Sequence, residues 1–194
     1  MAHNSTAQFL TAWRGLQDTP QKAPARDAFD PTRMKTLMPQ MLMLAAGDHR
    51  TGGFNFRLAG GFIEQLHGPG LKGSDFTALF APAFQAPLIV ALTSARHREQ
   101  PLLLCVTTEV GDDLLSAEIL LTPLRNQDGL IDRFVGLYQP LGPQPDAFRL
   151  EAHYDTNLPR AGRLSLKSAR LQTADAPAFP AHLRLVSIEG RLIA

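Results

Sequence analysis

The sequence predicts an α+β fold built on an antiparallel sheet, and three observations carry that reading. Phe54, Phe56 and Leu58 alternate with Asn55, Arg57 and Ala59, the period of two of a strand with one buried face. Directly after it, Phe62, Ile63 and Leu66 fall at helical spacing, and Gly60, Gly61, Gly68 and Gly70 bracket that short helix. Further on, residues 102–110, 114–124 and 132–141 are strand-like. The connections between them, Gly111-Asp112-Asp113 and Asn126-Gln127-Asp128-Gly129, are short enough to make antiparallel neighbours.

In chain order, residues 5–16 form an amphipathic helix, because Phe9, Trp13 and Leu16 stand at i, i+4 and i+7. Residues 18–30, with Pro20 and Pro24, read as a linker of limited order. Asp30 caps a short helix with Pro31 at its first position, and Pro39 limits it. The apolar run 41–44 is the first strand, and 47–53 turns into the second at Phe54. Ser74 is the expected cap of a further short helix bearing Phe76, Leu79 and Phe80. Residues 82–98 hold the longest helical pattern, with a break expected near Pro87.

The three later strands carry apolar residues on both faces: Leu102, Leu104 and Val106 alternate with Leu103 and Cys105, and Phe134 and Tyr138 with Val135 and Leu137. A sheet with one solvated face alternates more cleanly. Both faces therefore need covers. The short helices cover one, and the Phe9, Trp13, Leu16 stripe or a second copy of the chain covers the other. Beyond Gly142 the composition shifts to Pro, Ala and scattered charge, with weak alternation at 163–171 and 182–188. The organisation is a helix and linker over 1–30, a central domain over 31–141 and a C-terminal arm over 142–194.

The stretch Arg57-Leu58, Gly60, Ile63, Gly68, Leu71, Gly73, Phe76 and Leu79-Phe80, with its spacing, resembles the core of a PAS domain of the PAS_5 family. The likeness extends from about Phe9 to Leu141 and includes Trp13, Phe29-Asp30-Pro31 and Leu37-Met38-Pro39. It implies a PAS fold, with a five-stranded antiparallel sheet, short helices on one face and an N-terminal helix flanking the sheet. It also implies a non-enzymatic sensory or regulatory role, in which a signalling protein or a second copy is engaged under control of a small molecule in an apolar cavity. A small α+β enzyme using the same cavity is the alternative.

Composition narrows the classes further. A hydrophobic share of 44%, a charged share of 19% and a net charge of +1 describe a globular domain without a broad electrostatic pull toward nucleic acid or anionic membrane. No segment is apolar enough to insert in a membrane, and no leader pattern is evident, so a cytoplasmic location is expected. One cysteine excludes an intramolecular disulfide framework, and six dispersed histidines show no metal-ligand spacing. Gly68 to Gly73 satisfies GxGxxG, but it follows a helical pattern and contains Pro69, so it reads as a connection rather than a phosphate cradle.

The expected cavity lining is Phe56, Leu58, Phe62, Leu66, Phe76, Phe80, Leu88, Leu104, Val106, Ile119 and Phe134, with Arg57, Thr107 or Thr122 as orienting polar groups. His67 lies beside it. The expected interaction surface is Phe9, Trp13 and Leu16. Glu109, Asp112, Asp113 and Glu118 read as a solvated hairpin end. No catalytic residue, metal or cofactor is assigned.

Overall fold

The computed structural model describes residues 2–47, 53–142 and 160–173. His49 with most of the expected turn, the weak alternation over 182–188 and the charges between 143 and 159 lie outside the described residues. Helix α1 spans Asn4–Arg14, and His3 caps it by accepting from the Ser5 N–H. Strands β1 (Met41–Ala46) and β2 (Phe54–Ala59) lead into α2 (Gly61–His67) and α3 (Pro82–Arg98). Strands β3 (Leu102–Val110), β4 (Asp113–Arg125), β5 (Ile131–Leu141) and β6 (Ser165–Leu171) follow.

These strands form one antiparallel sheet in the order β2-β1-β5-β4-β3-β6. The sheet has six strands where the sequence predicts five. The sixth comes from the C-terminal arm: the weak alternation at 163–171 pairs β6 along β3, from Leu102 opposite Leu171 to Thr107 opposite Ser165.

Register sorts the side chains between two faces, since directly opposed residues point the same way. Leu104, Ile119 and Tyr138 line up across β3, β4 and β5 on the inner face. There they meet α2, α3 and a 3-10 helix over Phe76–Leu79. On the outer face Leu103, Leu120, Leu137 and Met41 line up instead. Helix α1 lies over this side and buries Phe9 and Trp13, so the apolar stripe covers the sheet of its own chain.

Four local expectations change. Asp75, not Ser74, caps the Phe76–Leu79 helix: it immediately precedes the first helical residue and accepts from both the N–H and the hydroxyl of Thr77. The Ser74 hydroxyl instead donates to the Leu71 carbonyl. Helix α3 runs unbroken through Pro87. Pro87 and Ala83 are exposed, so the carbonyl that loses its partner at position 87 is open to water. The 18–30 segment is anchored at its middle, because Ala23 is buried, its N–H donates to Glu99, and Arg125 closes on Ala23 and Pro24 through its side chain and backbone N–H. Glu118 is buried rather than solvated, and its carboxylate accepts the His3 N–H at 3.0 Å, where the start of α1 favours negative charge. Asp30 does cap its helix, which runs over Pro31–Gln40 with a kink at Met34.

Candidate functional site

The candidate site is the inner face, where short helices are laid on the sheet by close backbone approaches. Gly60 is required where β2 turns into α2, since a Cβ there would stand 2.3 Å from the Pro39 carbonyl. Helix α2 then buries Phe62, Ile63 and Leu66 and stops at Gly68, whose φ of 102° suits glycine. Residues following the undescribed stretch strap the other side. Ala161 N–H donates to Leu66, and Leu164 exchanges backbone bonds with Leu79 and Ala81.

Ten of the eleven expected lining residues share this interior: Phe56, Phe62, Leu66, Phe76, Phe80, Leu88, Leu104, Val106, Ile119 and Phe134 are all buried in one cluster. Their rings touch edge to face, with centroids 5.6 Å apart for Phe56 and Phe76 and 5.5 Å for Phe76 and Phe80. Leu58 is the exception, at 49% exposed. A bulge between Met43 and Leu44 places Phe56 opposite Leu44 but Leu58 opposite Met43, so one extra residue on β2 turns Leu58 onto the outer face.

The expected polar groups are elsewhere. Arg57 is exposed, Thr107 stands on the outer face opposite Ser116, and the buried Thr122 donates to the Val135 carbonyl. A polar feature of the interior is His67 with Tyr138, which the sequence pattern shows only as a sheet residue. His67 Nε2 and Tyr138 Oη are 3.3 Å apart, and Phe62 packs edge-on to the same tyrosine ring at 6.0 Å. Burial lowers the His67 pKa to about 4 and raises that of Tyr138 above the ordinary phenol range. Both are neutral near pH 7, and the imidazole tautomer decides which one donates. Such a pair can hydrogen-bond a polar atom in an apolar enclosure.

The interaction stripe also changes character. Phe9 and Trp13 are buried against their own sheet and Leu16 is half-buried, with the Trp13 indole N–H donating 3.0 Å to the Pro123 carbonyl. They are not free to meet a partner. Large apolar side chains that do face outward include Ile89 and Val90 on α3.

A family model for PAS domains, PAS_5, matches residues 1–139. The chain belongs to the PAS_5 family of PAS domains. The match takes in α1, strands β1 to β4 and most of β5, and β6 lies beyond it. No curated protein matches the chain. A PAS domain is in general a sensory or regulatory module, and the sheet with its short helices on one face is the architecture of that fold. Among the described residues, no helix is long and apolar enough to cross a membrane.

Proposed function

We propose that this PAS domain is a non-enzymatic regulatory module that senses a small molecule on its inner face and passes the signal by contact, to a signalling protein or a second copy. The observation that carries the reading is the neutral His67–Tyr138 pair, a polar anchor beside Phe62 in the same core as Phe56, Phe76, Phe80 and Phe134. A ligand there would favour one arrangement of α2 and the Phe76–Leu79 helix over others, which is the physical content of sensing. A histidine whose pKa lies near 4 is a weak proton acceptor, which favours binding over acid–base chemistry.

Contact is assigned to the outward side of α3. Ile89 and Val90 are exposed there, and no charged residue occurs from Pro82 to Ala95. Native mass spectrometry of freshly purified protein, compared with its denatured mass, tests the sensing half. A co-purifying small molecule lost from Tyr138→Phe supports it, and a ligand retained equally by that variant counts against the anchor.

A further inference from the structure

A second site lies outside the packed interior. A cleft of about 240 Å³ opens where the end of α1, the Pro20 loop, the last turn of α3 and the end of β6 converge. Trp13, Pro20 and Pro101 line it, and its polar groups include Arg14, Arg98 and Gln100. We propose that this cleft binds a small organic anion, a carboxylate or phosphate ester that also carries an N–H donor.

Charge supports the anion. Arg14 reaches across the cleft to the Thr173 carbonyl at 3.3 Å, which leaves most of its guanidinium donors uncommitted. Arg98 is exposed and has no hydrogen bond or ion pair among the described residues. The one carboxylate in the lining, Glu99, is already engaged, since it accepts the Ala23 N–H at 2.8 Å and lies 3.9 Å from Arg125. Glu99 is also held in the left-handed region at φ 52°, which turns the chain sharply from α3 toward β3 at the cleft.

The donor requirement comes from Gln100. Its Oε1 is buried without a hydrogen-bond partner among the described residues. Leaving an acceptor so placed costs free energy, and an N–H on the ligand would satisfy it once the half-buried Gln100 side chain turns toward the cleft. Pro20 and Pro101 offer the body of the ligand an apolar seat. The volume suits a molecule from a small aromatic acid to a mononucleotide. Because α1 and β6 meet in this cleft, an occupant would tie the first helix to the last described strand, a linkage independent of the inner face.

The chain has a single tryptophan, so the Trp13 indole resonance in a ¹H–¹⁵N spectrum reports on the cleft without ambiguity. The full chain is titrated separately with 4-aminobenzoate and with adenosine monophosphate, at constant ionic strength held by sodium chloride. The expected result is a saturable shift with at least one probe, and which probe acts tells a carboxylate from a phosphate source. Arg14→Gln and Arg98→Gln should each weaken it about tenfold, as loss of a charge-assisted bond does. Gln100→Leu should weaken it while leaving the melting temperature of the free protein unchanged. No saturable shift with either probe overturns the site, as does binding that survives either arginine substitution. A Gln100→Leu variant that binds undiminished also overturns it.

Discussion

His67 Nε2 lies 3.3 Å from the Tyr138 hydroxyl, across 71 positions of sequence, and the two ring centroids are 5.6 Å apart. This contact ties the last residue of α2 to the central strand β5. Removing the hydroxyl leaves a part-buried imidazole nitrogen without that partner, so Tyr138→Phe should cost about 1–3 kcal/mol in chemical denaturation.

The same pair sets a pH dependence. The folded-state pKa of His67 is near 4, below the ordinary value of 6.5, so between these the unfolded chain binds the extra proton. The contribution is fully present above pH 6.5 and is lost progressively as pH falls toward 4. Its size is on the order of 3 kcal/mol. Denaturation midpoints measured from pH 7.5 to 4.5 should fall for the native sequence, and His67→Phe should flatten the part of that slope due to this residue. A parallel decline in both would remove His67 as its source.

Trp13 separates the two roles expected of its stripe, cover for its own sheet and contact surface for a partner. It is 1% exposed and bonded to Pro123 on β4. Trp13→Ala should therefore destabilise the monomer by about 3–5 kcal/mol, through lost packing and a stranded carbonyl. Native mass should show an unchanged oligomeric state in conditions where the variant is folded. A dissociated oligomer at unchanged melting temperature would return the residue to an interface.

Phe56 and Leu58 are two residues apart on β2, yet the bulge sends them to opposite faces. Phe56→Ala should cost about 3–5 kcal/mol, whereas Leu58→Lys should stay within about 0.5 kcal/mol of the native protein. Equal losses at the two positions would mean an unbulged register. Alternation within β2 shows that one face is buried, but the slip arises in pairing with β1, which no local pattern encodes. For the same reason the sequence displays β3, β4 and β5 and the glycine-bracketed α2, while β6 is visible only as weak alternation until β3 supplies its partner. His67 is conspicuous beside Gly68, but its interior partner belongs to a strand whose flanking positions on the same face, Gly136 and Pro140, carry no polar side chain. The Glu118 charge shows the converse: near a hairpin it reads as solvated, and only the start of α1 over it makes burial tolerable.

The outward side of α3 separates a contact role from a packing role. Ile89 and Val90 are 39% and 66% exposed, so aspartate at either position faces solvent in the isolated chain. Leu88, Leu92 and Ala95 carry the buried side of the same helix. The double variant Ile89→Asp, Val90→Asp should therefore melt within a few degrees of the native protein, its chief local cost being the weaker helix propensity of aspartate. If α3 meets a second copy, desolvating two carboxylates in each subunit would abolish that association, and sedimentation at rising concentration would show monomer where the native chain dimerises. If the native chain is monomeric, the same variant should lose a signalling partner recovered by crosslinking in cells. A folded variant that keeps both its self-association and its crosslinks would move the contact surface off α3.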